Sequence, residues 1–152
     1  MDVFSKDKRA AIMRSVRPRG NGTTEIRLAR LFRQSGISGW RRQYKTHGTP
    51  DFYFPQLRVA VFVDGCFWHG CPLHATTPAT HKKFWKKKLD RNRSRNIVLA
   101  RTPRRQGVSV VRVWEHELRA SVVTKSLERI VRGLRRRAEN RNKLPNGGLV
   151  RA

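Results

Sequence analysis

Two thiols, two imidazoles, a carboxylate and two large rings fall within the eleven residues "DGCFWHGCPLH", Asp64 to His74. Cys66, Cys71 and His74 have the spacing C-x4-C-x2-H, and His116 stands at the end of a later strand-like segment. Two thiolates and two imidazoles suit Zn²⁺, which is four-coordinate in structural sites. The same residues also read as buried free thiols with incidental histidines. A closed zinc site would pin the loop after "VFVD" to a distant strand. Asp51 opens an apolar strand after Pro50, and Asp64 ends the next one. Carboxylates at the ends of adjacent strands can share a Mg²⁺ ion, though both positions are also ordinary turn and strand-terminal sites for Asp. His69, close to Asp64 in sequence, is available as a proton acceptor for a water attacking phosphorus. Phe67 and Trp68 lie between the metal-ligand candidates, and Trp85 follows. Such rings either pack in a core or stack on bases, each base stack contributing about 1–3 kcal/mol.

The charge balance supplies the partner for those rings. Thirty-five Lys and Arg against ten Asp and Glu give a formal charge of +25, which repels itself in a compact body unless a polyanion is near. Lys82, Lys83, Lys86, Lys87, Lys88, Arg91, Arg93 and Arg95 form one basic cluster, and Arg132, Arg135, Arg136 and Arg137 another. Either is a solvated helix face or a nucleic-acid footprint, and the total charge favours nucleic acid, with Lys82, Lys86 and Arg91 as candidate contacts. There is no apolar run near 18 residues and no secretory signal, so the sequence reads as a soluble, cytoplasmic, nucleoid-associated protein without membrane partners. Two cysteines do not make a disulfide scaffold.

The elements that must position these groups follow from pattern. Residues 1–22 read as a basic arm, with a short helical pattern over Lys6 to Val16 and a break at "RPRGNGTT". A core spans 23–138 and a loose basic tail 139–152, a length suited to a single domain. Within the core, "TTEIRLARLFRQSG" predicts a helix ending near Gly36 with Glu25 in its first turn. "WRRQY", "DFYF", "LRVAVFVD" and "VSVVRVW" predict strands, the middle two joined by a hairpin at Pro55-Gln56. Helices are expected from about Thr80 to Arg101, closed by Pro103 and Gly107, and from about Thr124 to Ala138. This order implies a mixed α/β sheet flanked by helices.

The segments "TPDFYF", "VAVFVDGCFWHGCPLH", "FWKKKLDRN" and "VWEHEL", in that order, resemble the very short patch repair (Vsr-type) DNA mismatch endonucleases. The resemblance runs from about Lys8, where "KRAAIMRSV" is similar to the family's N-terminal arm, to about Leu118. It implies a PD-(D/E)xK-type, restriction-endonuclease-like fold, a structural zinc, and a Mg²⁺-dependent cut in one strand beside a T:G mismatch left by deamination of 5-methylcytosine. By matched position it implies Asp51 as the metal-binding carboxylate, Val63 as the residue whose main-chain carbonyl helps hold magnesium, and His69 as the catalytic histidine. Glu25 would support metal-bound waters. Phe67, Trp68 and Trp85 would wedge into the duplex beside the mismatch. Host mismatch-repair proteins are the implied downstream partners.

The chain departs from that pattern at identifiable places. Asp64 stands where repair members carry His near the scissile phosphate, and a carboxylate there suggests a further metal ligand. Some members use three Cys and one His for zinc, against Cys66, Cys71, His74 and His116 here. Asn96 stands where an acidic residue is common, and Gly107 is not followed by Trp. Two other readings fit the residues: a nickase of a restriction or defence system with a different target, and a non-catalytic zinc-stabilised DNA-binding module.

Overall fold

The element order is helix, two strands, helix, strand, helix in a computed structural model that describes residues 22–143 except 47, 77, 79, 80 and 120. Residues 1–21 of the expected N-terminal arm and residues 144–152 of the expected tail lie outside the described residues. A wide π turn over Gly22–Ile26 leads into α1 (Arg27–Gln34), and Gly36 ends it at φ +66, a conformation that suits glycine. Then come β1 (Phe52–Phe54) and β2 (Val59–Asp64), joined as expected by a tight turn at Pro55, whose carbonyl accepts the Arg58 N–H at 3.3 Å. The long α2 (Lys82–Arg105) carries the chain to β3 (Ser109–Trp114), a single 3-10 turn covers Glu115–Leu118, and α3 (Val123–Lys143) completes the described chain.

The three strands form one sheet in the order β1-β2-β3. β1 runs antiparallel to β2, with Phe52 opposite Val61, and β3 runs parallel to β2, with Asp64 opposite Trp114. A parallel pair needs a crossover, and here the crossover holds the Cys/His loop and the basic helix α2. Parallel pairing also brings the finishing ends of β2 and β3 to one edge, where the antiparallel β1 begins. Asp51, Asp64 and Glu115 therefore meet at the same end of the sheet.

Side-chain alternation divides the interior. On one face Phe52, Phe54, Val59, Val61 and Val113 pack with Leu28 and Phe32 of α1, Ile130 of α3 and Leu118. Phe32 meets Phe52 and Phe54 edge-on, with centroids 5.1 and 5.9 Å apart. On the other face Tyr53, Ala60, Phe62 and Val108 cluster, and Tyr44 stacks on Tyr53 at 4.6 Å. Because Phe32 is fully buried, Phe32→Ala should cost about 3–5 kcal/mol, read as an earlier midpoint in a urea melt. A midpoint shifted by less than a third of that would place α1 outside the cooperative core.

The structure corrects three expectations. "WRRQY" is not a strand: Arg41 makes a single antiparallel bridge to Tyr53, and positive φ at Gly39 and Gln43 bends the chain on either side. α2 continues two residues past Pro103 to Arg105, despite the missing N–H of that proline, and Gly107, φ +72, follows it. α3 runs to Lys143, five residues into the stretch read as tail. Arg137, which the sequence groups with a basic cluster, donates to main-chain carbonyls of Leu57 (3.2 Å) and Gly107. Among the described residues no helix is long and apolar enough to cross a membrane.

Candidate active site and metal centre

Three of the chain's few carboxylates gather at the sheet end. Asp51 Oδ2 accepts the Val63 N–H at 2.7 Å, so the start of β1 is tied to the last residues of β2. Burial pushes the Asp51 carboxyl up to about 6; the Val63 N–H and Arg42 oppose this, and the nearby charges of Glu25 and Asp64 add to it. Glu25, buried in the π turn, accepts from Arg42 Nη2 at 2.5 Å. A buried carboxyl held this high, with further carboxylates beside it, is a group whose ionised form a divalent cation would stabilise. Asp64 is buried too, but its countercharge is present: Arg112 donates Nε to Oδ2 at 2.6 Å and Nη2 to Oδ1. His69 Nδ1 lies 4.0 Å from Asp64 Oδ1. Burial pushes the His69 imidazole below its ordinary range against the pull of Asp64, and Arg112 pushes it further down, so the ring is neutral near pH 7 and able to take a proton.

On the other side of Asp64 the four sequence-predicted metal ligands converge. Cys66, Cys71, His74 and His116 present ligand atoms that all lie within 4.8 Å of one another. His116 Nδ1 is 3.2 Å from Cys66 Sγ and 3.5 Å from Cys71 Sγ, and His74 Nδ1 is 3.7 Å from Cys71 Sγ. These three separations are close to the roughly 3.6 Å between sulfur and nitrogen ligands of a tetrahedral zinc, so the cluster is compact enough to hold a metal ion. The Cys71 N–H donates to the Cys66 carbonyl at 2.9 Å, closing the turn that brings both thiols together. Gly70 stands in this turn at φ +65, a conformation that suits glycine, with the movable Arg93 guanidinium lying against it. Glu115 Oε2 accepts the Cys66 N–H at 3.3 Å, tying the loop to the end of β3. Burial, countered by the His116 main chain and reinforced by Cys71, holds the Cys66 thiol above its usual range.

The rings form a continuous group on the same loop and on α2. Phe67 contacts Trp68 at 5.0 Å and Trp85 at 5.5 Å between centroids. Phe67 and Trp68 are partly exposed, whereas Trp85 lies beneath them, only 8% exposed. Sequence reasoning missed Phe84, which touches Trp85 and is 59% exposed, although its place in "FW" of the basic helix was visible. Lys88 Nζ sits 5.2–5.7 Å from the Trp85, Trp68 and Phe84 centroids. Asn92 Nδ2 donates to the Trp68 carbonyl at 3.4 Å. Lys82, Lys86 and Arg93 line a groove along α2, and Arg91 is exposed on that helix. Arg42 and Arg112, the cations at the carboxylates, were also missed; a charge inside the apolar run "SVVRVW" was the available signal for Arg112.

A carboxylate and histidine cluster at a sheet end, beside a Cys/His cage, rings and cations, is compatible with phosphodiester chemistry, and sequence comparison makes the chain a strand-nicking DNA endonuclease. The family model described as DNA mismatch endonuclease Vsr matches residues 1–75. The DNA mismatch endonuclease Vsr of Escherichia coli (strain K12) is 34% identical over 120 residues, covering 78% of this chain and 76% of that protein. The type II nicking enzyme V.XorIIP of Xanthomonas oryzae pv. oryzae is 32% identical over 119 residues, covering 77% and 86%. V.NaeI of Lentzea aerocolonigenes, also a type II nicking enzyme, is 47% identical over 68 residues, but the match covers 45% of this chain and only 41% of that protein. The chain belongs to the Vsr family of DNA mismatch endonucleases.

Proposed function

We propose that this protein nicks one strand of duplex DNA beside a T:G mismatch, with Mg²⁺ at a PD-(D/E)xK-type sheet end, acting in the cytoplasm before host mismatch-repair proteins. The observation that carries the reading is Asp51, buried beside Glu25 and Asp64 and bonded to the Val63 N–H, at the edge where His69 also stands. Asp51 and the Val63 main-chain carbonyl would hold the ion, and Glu25 would orient its waters. Bound there, Mg²⁺ supplies charge neutralisation at the scissile phosphate. His69 takes the proton from a water as its oxygen bonds to phosphorus. The P–O3′ bond then breaks, leaving a 5′-phosphate and a 3′-hydroxyl.

Zn²⁺ in the Cys66, Cys71, His74 and His116 cage would hold the ring-bearing loop against β3. Phe67 and Trp68 would fill the step opened beside the weak wobble pair, with Trp85 beneath them as backing. Lys82, Lys86 and Arg91 would neutralise backbone phosphates.

The likeness to type II nicking enzymes favours a second reading, a nickase whose target is set by a restriction or defence system. Nicking of T:G, paired C:G and methylated duplexes, with and without chelator, separates the readings. The repair reading expects one strand of the T:G duplex to be cut and chelator to stop it. Equal cutting of a fully paired duplex favours the second reading. Tight binding without scission in Mg²⁺ or Mn²⁺ leaves a DNA-binding module.

A further inference from the structure

Arg112 is the one charged side chain on β3. In the parallel register it stands opposite Phe62, and Asp64 stands opposite Trp114, so Arg112 reaches Asp64 diagonally along one face of the sheet. Three contacts fix it there. Its guanidinium lies 5.4 Å from the Phe62 ring centroid, its two nitrogens grip both Asp64 oxygens, and its own carbonyl accepts from Arg129 Nη2 of α3 at 3.0 Å. A fork meeting a carboxylate with two parallel bonds sets direction as well as charge, which a lysine cannot do. The gripped carboxylate lies 4.0 Å from His69 Nδ1, on the ring's non-reacting side if Nε2 takes the proton.

We propose that Arg112 is a positioning residue that acts through Asp64: it holds the carboxylate toward Nδ1 of His69, so that Nε2 is the nitrogen offered to the attacking water. This gives Asp64 an orienting role in place of a metal-ligating one, and it rests on the reading of His69 as the proton acceptor. A carboxylate on Nδ1 selects the tautomer with a lone pair at Nε2. The 4.0 Å separation is longer than a hydrogen bond and is expected to close when DNA docks, as catalytic contacts commonly do.

The test is single-turnover nicking, at saturating protein and Mg²⁺, of whichever duplex the native chain cuts. Arg112→Gln and Asp64→Asn should each slow nicking on the order of a hundredfold, within the range expected of general-base catalysis. DNA affinity and the Mg²⁺ concentration for half-maximal rate should stay within about twofold, the signature of a lost transition-state contribution. Adding Arg112→Gln to Asp64→Asn should cost nothing more, and Arg112→Lys should recover part of the rate. A native rate for Arg112→Gln overturns the inference. So does a further loss in the double variant, which would put Arg112 on the phosphate itself, or a raised Mg²⁺ requirement in Asp64→Asn, which would make Asp64 a ligand. Should Arg112→Gln fail to fold because the buried carboxylate lacks its cation, the double variant against Asp64→Asn still decides, since neither carries that charge. Native nicking by His69→Ala, or no nicking by the native chain on any duplex, removes the underlying reading and this inference with it.

Discussion

Asp51→Asn is expected to abolish nicking and yet to melt later than the native chain at pH 8 in metal-free buffer. Burial raises the carboxyl from its ordinary 3.8 to about 6. Between those values the folded chain holds a proton that the unfolded chain has released, so stability falls as pH rises through that window. Above pH 6 the full cost is present, about 3 kcal/mol by the usual conversion of pKa difference to free energy. Asparagine removes the charge but keeps an oxygen for the Val63 N–H, now 2.7 Å from Asp51. The gain in melting temperature should be largest at pH 8, shrink below pH 6 and vanish near pH 4. Melts in chelator across that range, paired with nicking assays, read both effects. A variant that melts no later at pH 8 means that the buried charge is already compensated. Native-rate nicking by the variant removes Asp51 from the proposed cation site. Stability traded for a charge in the wrong place is the usual mark of a site built for a ligand.

Cys71→Ser should also lose activity, but with the opposite effect on stability, because the fold goes with it. Cys71 is 1% exposed and lies 3.5 Å from His116, so its sulfur belongs to the loop and to the far side of the sheet at once. Structural zinc sites contribute on the order of 10 kcal/mol of apparent binding energy in small domains, more than a domain of this size has to spare. The native chain as purified should carry one zinc per molecule by elemental analysis, and a strong chelator should lower its melting point steeply. Ion binding should also release protons near neutral pH, because the uncomplexed Cys66 thiol is held protonated. A metal-free native preparation with an unchanged melt in chelator would falsify the zinc assignment.

Much of this arrangement was legible in the sequence where a single local pattern decides it. The unbroken Val59–Asp64 run announced a buried strand, and the spacing of Cys66, Cys71 and His74 announced a turn gathering ligands. His116 could be added because "VWEHEL" follows a recognisable strand. What escaped depends on partners brought together by topology. Arg112 and Asp64 are 48 residues apart in sequence and meet only through the parallel register, so no local pattern could pair them. Trp85 looked like its neighbours Phe67 and Trp68, but its helix turns it under them. "WRRQY" had strand composition, yet left-handed backbone at Gly39 and Gln43 denied it a ladder. Pro103 was read as a stop because its missing N–H and its ring disfavour a helix, yet the helix runs two residues past it.

The parallel pairing of β2 with β3 also constrains when the enzyme can become active. The two strands cannot zip until the whole intervening segment has been looped round, a slow, non-local step. The cage spans the same gap, with three ligands before that segment's helix and one after β3. Sheet completion and ligand gathering are thus one closure during biogenesis. On the proposed site, a newly made chain would be expected to gain nicking activity only as that ring shuts.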